Sequence, residues 1–522
     1  MRAHKQCSMN KLEATFLNEA DYKAEQVKAL ASGVKRIGLN SIIYSLSGVI
    51  TRGVGIFLVP LYTRVLTPAD YGILAITSTV GNLLVIILSF AIHSSFTRLY
   101  FETSSEKEHR SLVGTLLAFL ILVPGAFAIG LELVGRAGWL SFFKSVPFRP
   151  YLSLTLWSSY FSLFMNLPQT IYITRQQPRP VMGLNILNSL LIIGLSLYFV
   201  LYLRQGVVGS LMAMLVAAAI MAFLSVALTA HFASRTLSLE KLKAALLFSL
   251  PLVPHLLTQW GLNLSDRFIL EPAVPASQLG LYNLGYQVGG IVTIFTLAIS
   301  NSISPIFIAK LKDPDQRPSV PRLGTFAVAG TWFVGLSIAL LGGDAIRLLA
   351  PATYHGAISV VPWVVLGFIL HGMYMLIITG TFYSMRTKMI PLVTALACIV
   401  NIGLNLWLVP IHGIMAAAVN TAIGYGVLLL LHGYLAFRLY PIPWEYRQWI
   451  KVFAATVISF AVGCVISSSN VWLDILLKSV FILGVFPIAL VSLRFFMPAE
   501  LALIRRVLLR LRLRSNLNNL WH

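Results

Sequence analysis

Arg52 is the one charge within the membrane-spanning part of a stretch, Leu39 to Leu74, that reads as a membrane-spanning helix, a tight exit and the start of a second helix. It lies about 13 residues from Leu39 and about 12 from Arg64, which at a rise of about 1.5 Å per residue puts it near the bilayer midplane. A central arginine costs roughly 2.5 to 3.5 kcal/mol on insertion scales and is tolerated where it faces a bundle interior or a wet cavity. Ser41, Ser45, Gly48, Arg52 and Gly55 recur at steps of three or four and so share a helix face. The chemistry suited to such a group is anion binding, because the planar guanidinium makes paired, charge-assisted hydrogen bonds to phosphate oxygens. The plainer alternative is an internal acid that neutralises Arg52 and pins two helices together.

Other polar stripes have the same spacing. The second span carries Ser78, Asn82, Ser89 and His93, with Arg98 beyond its end. His93 is divided between a packing residue and a cavity residue. The stretch LFSLPLVPHLLTQWGLNLSDRFIL holds Pro251 and Pro254, which predict a bent or discontinuous helix, followed by His255, Gln259, Asn263 and Asp266 on one face with Arg267 adjacent. The next span adds Asn283, Gln287 and Gly290. Together these stripes would line one cavity whose fixed charges are Arg52, Arg267 and Asp266, with Arg64 and Arg98 toward its ends. The balance is cationic and predicts anionic cargo. Asp266 beside Arg267 reads as an internal ion pair, with a proton or sodium site as the alternative.

The elements that must position these residues are membrane helices. Of 522 residues, 57% are hydrophobic and only 11% charged, far from the roughly 25% charged of a soluble domain. About fourteen apolar stretches of helical length follow a charged segment, residues 1–36, that lacks the apolar run of a signal peptide, so the first span itself would direct insertion. Assigning Lys and Arg to alternate sides places thirty with the termini and eight opposite, Arg52 completing the 39. The positive-inside rule then predicts both termini in the cytoplasm of a bacterial inner-membrane protein. The net charge of +21 is accounted for by loops facing anionic lipid and calls for no nucleic acid. Cys7, Cys398 and Cys464 are scattered, so neither a disulfide framework nor a thiolate metal site is indicated; no metal or other cofactor is expected.

An internal repeat organises the spans. TPADYGIL (Thr67 to Leu74) aligns with PASQLGLY (Pro275 to Tyr282) at an offset of 208, pairing Gly72 with Gly280. IGLSLY at Ile193 aligns with IGLNLW at Ile402, and GVVGS at Gly206 with GIMAA at Gly413, at nearly the same offset. The offset covers six helices, an even number, so the halves share one orientation and are related by an axis along the membrane normal, a transporter architecture. The expected fold is thus all-α and polytopic: a cytoplasmic segment 1–36, an N-lobe 37–234, a linker 235–245, a C-lobe 246–440, two more spans within 441–497, and a basic amphipathic tail 498–522 that suits anionic lipid. Spans three to six read as scaffold, kinked at Pro124 and Pro168, and the loop 135–149 is the one basic loop on the outer side.

LVPLYTRVLTPADYGI, SDRFIL followed by LGLYNLGYQVGGI, and TKMIPLVTALACIVNIGLNLWLVPIHGIMAAA resemble the polysaccharide-biosynthesis flippase family, a branch of the multidrug/oligosaccharidyl-lipid/polysaccharide exporter superfamily, over most of residues 37–440. The resemblance implies two six-helix lobes around a central cavity and alternating access. The implied cargo is a polyprenyl-diphosphate-linked oligosaccharide turned from the cytoplasmic to the outer leaflet. The family's typically basic cavity maps onto Arg52 and Arg267, and in fourteen-span relatives that flip peptidoglycan precursors the last two helices help form a groove for the lipid tail. Membrane lipids, a coupling ion (H⁺ or Na⁺) and polysaccharide polymerase and export proteins are the implied partners. The rivals are a cation-coupled exporter of the same superfamily, which would want a buried carboxylate in spans one or two where none occurs, and a membrane glycosyltransferase or polymerase. The latter would have to work with Glu132, Asp266, Glu271 and Asp344. A non-transporting scaffold in an assembly complex would have no need of Arg52.

Overall fold

The structure is a computed structural model that describes residues 43, 46–51, 53–103, 105–137, 143–384, 386 and 389–502. Arg52, Ser41 and Ser45, the segment 1–36 and most of the basic tail lie outside the described residues. Every regular element described is helical, and eleven helices are long and apolar enough to cross a membrane. The protein is an all-α polytopic membrane protein. Its surface agrees, since Phe223 and Leu430 are 80% and 73% exposed on helices that would otherwise be insoluble.

The first half of the chain contains α1 (Leu46–Val65), α2 (Pro68–Ser89), α3 (His93–Glu102), α4 (Glu106–Arg136), α5 (Ser153–Thr174), α6 (Pro178–Ser196) and α7 (Gly206–Phe232). The second half contains α8 (Leu239–Ser249), α9 (Leu252–Leu264), α10 (Asp266–Ala273), α11 (Ala276–Gly289), α12 (Val292–Lys312), α13 (Val320–Leu349), α14 (Val361–Tyr383) and α15 (Ile390–Leu439). Local sequence sets the boundaries. α2 starts where Thr67 and Asp70 form a reciprocal capping box with Pro68 in the first turn. α15 runs 50 residues but is broken at Gly413, whose φ of 61° and ψ of −139° only glycine adopts without strain. Pro251 separates α8 from α9, and Ser265 marks the step from α9 to α10, so the stretch read as discontinuous is interrupted twice. α4 and α5, by contrast, run on as single helices through Pro124 and Pro168.

The helices flanking the centre are the interrupted ones. α2 gives way to α3 at Phe90 and Ala91, both at positive φ near 50°, a conformation costing roughly 1–2 kcal/mol per residue. α11 gives way to α12 around Gly290. One apolar cluster, with Leu88, Ile92, Phe96, Leu112 and Leu163, belongs to the first half and takes from the second only Ala245 and its neighbours on α8. A larger one crosses from Tyr71 and Ile76 through Tyr282 and Leu284 into the second half.

Two more helices, α16 (Tyr446–Gly463) and α17 (Val471–Ser492), pack on α13. The joint is ionic. Lys478 Nζ on α17 lies 2.7 Å from Asp344 of α13 and 3.5 Å from Asp474, and Arg347 reaches both carboxylates. Asp344 and Asp474 are fully buried, so each charge depends on its partner for compensation in a membrane-facing core.

Candidate functional site

A cavity of about 420 Å³ lies in the first half, walled chiefly by α1, α2, α5 and α6 and completed by α11 of the second half. Ser78 and Asn82 of α2, Ser158 and Ser162 of α5, Asn188 of α6, and Asn283 and Gln287 of α11 give it a lining of hydroxyls and amides. Leu58, Leu74, Val85 and Ile192 supply apolar wall between them. Among the described residues no charged side chain lines it. Such a surface offers donors and acceptors to a neutral, polyhydroxylated group and flat apolar patches to its ring faces.

One end of the cavity is sealed by the crossing of α2 and α11. A Cβ on Gly72 would stand 2.1 Å from the Ala276 carbonyl oxygen, and a Cβ on Gly280 would stand 1.9 Å from that of Pro68. Gly72 and Gly280, and Pro68 and Ala276, are partners at the repeat offset of 208, so the contact is self-complementary across the pseudo-two-fold axis. Only glycine permits this approach of backbones. Around it the Tyr71 hydroxyl donates to Gln287 Oε1 at 2.9 Å, and the Tyr354 hydroxyl, from the turn Ala352–Ser359, donates to the Leu66 carbonyl at 2.8 Å. Burial pushes the Tyr354 phenol above its ordinary range, which keeps it a donor. The Ser145 amide and hydroxyl both donate to Glu271, and Trp260 Nε1 donates to the Thr79 carbonyl at 3.2 Å. Each of these bonds joins one half to the other.

Of the expected charges, Arg52 lies outside the described residues and the others stand away from this cavity. Arg267 does not line the cavity: 2% exposed, its guanidinium lies 2.6 Å from Asp266, donates to the Asn263 carbonyl at 3.1 Å and sits 3.9 Å from the Tyr286 ring centroid. The Tyr282 hydroxyl occupies the other oxygen of Asp266. Between the two sequence readings of this pair, the structure draws an internal ion pair, because both partners are desolvated together and satisfied by each other. Asn263 is spent within the same network, its amide donating to the Gln259 carbonyl and its Oδ1 accepting from Tyr425. Arg98 is a surface residue paired with Glu102 at 2.8 Å, and Arg64 is exposed at the end of α1. His93, His255 and Gln259 are outside the lining as well. Of the predicted stripes, the structure brings Gly55, Ser78, Asn82, Asn283 and Gln287 into one wall.

The sequence model of the family described as polysaccharide biosynthesis protein matches residues 37–309, more than half of the chain. The chain belongs to this family. A probable flippase, AglR of Haloferax volcanii, is 29% identical over 185 residues, covering 34% of this chain and 37% of that protein; the chain therefore spans little more than a third of the length of this curated relative. Among solved structures, a lipid II flippase, MurJ, in an inward closed conformation aligns over 87% of this chain and 99% of its own with a TM-score of 0.71 at 15% identity. An inward-facing multidrug resistance transporter of the MATE family, in the MOP superfamily, aligns over 74% of this chain and 94% of its own with a TM-score of 0.59, also at 15% identity. At such identity the likeness is one of fold.

In this polysaccharide-biosynthesis family member the cavity wall includes helices that sequence reasoning assigned to scaffold. Thr155, Ser158, Ser159 and Ser162 of α5, with Asn188 and Ser189 of α6, line it. Their spacing of three and four was visible in the sequence, but without an arginine or proline to mark them they resemble ordinary helix-packing serines. The carboxylates that a catalytic reading would need are each engaged. Glu132 is held by Arg136 at 2.8 Å and by Ser153, Asp266 by Arg267, Glu271 by Ser145, and Asp344 by Lys478.

Proposed function

We propose that the protein is a flippase that turns a polyprenyl-diphosphate-linked oligosaccharide from the cytoplasmic to the outer leaflet by alternating access. The observation that carries this reading is the pairing of a self-complementary seal, Gly72 against Ala276 and Gly280 against Pro68, with a hydroxyl- and amide-lined cavity directly behind it. A channel needs no such seal and an enzyme needs no such symmetry. Sugars and a diphosphate cannot cross about 30 Å of hydrocarbon unaided, whereas a polyprenyl tail can remain in lipid, so a polar path open to one side at a time suffices. The uncharged lining suits the glycan, and Arg52, whose neighbours Thr51 and Gly55 line the cavity, is assigned to the diphosphate.

The excess of Lys and Arg in the loops on the side of the termini supports an orientation with the sealed end outside and both termini in the cytoplasm, in an inner membrane. Fourteen crossings follow if α15 counts as two at Gly413 and α5 and α16 are included. The engaged carboxylates favour a non-catalytic protein. The test is reconstitution into vesicles with a dye-labelled undecaprenyl-diphosphate oligosaccharide. Dithionite-accessible label should re-equilibrate between leaflets faster than in empty vesicles, with the lipid's mass unchanged. No acceleration, or an altered mass, would refute it.

A further inference from the structure

The second half contains a group that transport of a polar lipid does not explain. His432, on α15, is 0% exposed, and among the described residues neither Nδ1 nor Nε2 has a hydrogen-bond partner. A neutral imidazole always carries one N–H, and leaving it buried without an acceptor costs roughly 1–3 kcal/mol. An apolar residue of the same volume would avoid that cost, so retaining histidine points to chemistry that only an ionisable ring supplies.

His432 has company. The Tyr374 ring lies 4.7 Å from it, centroid to centroid, and His371, one turn before Tyr374 on α14, lies 4.9 Å from the ring of Tyr425. His255 of α9 likewise has its own Nδ1 buried and unpartnered. Tyr425 in turn donates to Asn263, whose carbonyl receives Tyr286 at 3.0 Å and Arg267 at 3.1 Å. A file of ring side chains thus leads from the buried His432 and the half-buried His371 to the Asp266–Arg267 pair at the α9–α10 break. No group of three or more His, Cys, Asp or Glu among the described residues could hold a metal ion.

We propose that His432, assisted by His255 and His371, is a proton-binding site that drives the conformational cycle of the second half. The step is a simple protonation: a ring nitrogen's lone pair takes a proton from water on one side of the membrane and returns it to water on the other. The ring that meets His432 is Tyr374 of α14; His371 on the same helix and Tyr425 on α15 come next along the file, and Tyr286 and Tyr282 of α11 with Asp266 and Arg267 of α10 stand at its far end, while α9 contributes His255. The one carboxylate among them, Asp266, is already held by Arg267 and Tyr282. A protonated His432 therefore has no counter-charge in this conformation. It disfavours the present packing of α9, α14 and α15 and favours one that admits water or frees Asp266 at the Ser265 break.

This inference rests on the transport reading, and its test is independent of cargo. In the full chain with Cys7, Cys398 and Cys464 replaced, Phe101→Cys and Lys312→Cys carry spin labels on opposite halves, and distance distributions are recorded in phosphatidylcholine/phosphatidylglycerol nanodiscs from about pH 8.5 to about pH 5.5, the range in which histidine titrates. The ratio of two distance populations should change at least about tenfold across that range. His432→Gln and His432→Phe, checked for folding by their melting profiles, should lose the change, and His371→Gln should shift its midpoint. His355→Gln, outside the cluster, should leave it intact. A parent protein whose distances ignore pH, or a folded His432 variant that keeps the parent's response, overturns the proposal while leaving the flippase reading standing. Conversely, an intact titration in a protein that moves no lipid would refute the flippase reading alone.

Discussion

Substituting Gly280 by Ala puts the sharpest strain on the proposed mechanism. The added methyl would lie 1.9 Å from the Pro68 carbonyl oxygen, 2.9 Å from its carbon and 3.0 Å from the Gly72 nitrogen. These are backbone atoms that cannot rotate aside, so α2 and α11 must separate by roughly 1 Å or more to restore contact distances. Overpacking of this kind costs about 1–3 kcal/mol. The separation also stretches the Tyr71–Gln287 and Tyr354–Leu66 bonds at 2.9 Å and 2.8 Å, each worth about 1 kcal/mol. A combined penalty near 3 kcal/mol falls on the sealed state alone and shifts the balance toward the opposite state about a hundredfold. The assay is labelling of Asn283→Cys, in a background free of other cysteines, by a membrane-impermeant maleimide added on the Thr67 side. Gly280→Ala should speed labelling by at least about tenfold. Gly72→Ala should do the same, and the double variant should add little because the crossing opens once. If either variant folds, labels at the parent rate and still transports, the crossing is not a gate.

Arg52→Ala should abolish surface-polysaccharide assembly while the protein remains in the membrane; normal polymer levels would remove Arg52 from the cargo path. Asn188→Leu, deleting one amide of the cavity wall, should slow flipping about tenfold, as loss of a hydrogen bond worth about 1–1.5 kcal/mol predicts, with unchanged thermal stability; equal rates would exclude contact with cargo. Arg267→Met leaves Asp266 buried and unpaired and should lower stability by about 3–5 kcal/mol, seen as a large drop in melting temperature, whereas Asp266→Leu combined with Arg267→Met should recover most of it. A variant that melts normally but fails to transport would make Arg267 a cargo ligand after all. The Arg322 guanidinium and the Met497 amide hold Glu500 below the usual carboxylate range. Because the folded value is the lower one, this contribution is present at neutral pH and is lost as pH falls through the folded value. Glu500→Gln should therefore melt lower than the parent at pH 7, with the gap closing in acid.

Legibility differed by the kind of signal. The repeat was readable because Gly72 and Gly280 answer to backbone geometry: a close crossing tolerates one residue type, so the match survives where surrounding identity is thin. The break after Pro251 was readable for the same reason. The Asp266–Arg267 ion pair was legible from adjacency, but Arg267 was also counted among the cavity's charges because adjacency on a helix does not say which way either side chain turns; the deciding partners, Tyr282 and Tyr286, lie 15 and more residues away on α11. Ser158, Ser162 and Asn188 were passed over since small polar residues at helical spacing serve packing and cavity lining equally well. His432 gave no sign at all, standing in an apolar run with nothing periodic about it.

The halves share the Gly72 and Gly280 crossing but divide the polar work. In the first, α1, α2, α5 and α6 enclose a space walled largely by serines and asparagines. In the second, Tyr282, Tyr286, Tyr425 and the Arg267 side chain fill the interior beside α9 and α10, and their hydrogen bonds end on Asp266 and Asn263 of the same half. Cargo contacts and the ionisable network are therefore separated by the α2–α11 crossing. Coupling between two sites needs an element with two arrangements that both sites bias, and this crossing meets the condition from both sides: Asn82 and Ser78 line the cavity on α2, while Tyr282 on α11 bonds Asp266 and Gln287 on α11 bonds Tyr71. A change in charge beyond α11 and a glycan seated against α2 thus act on one pair of glycines.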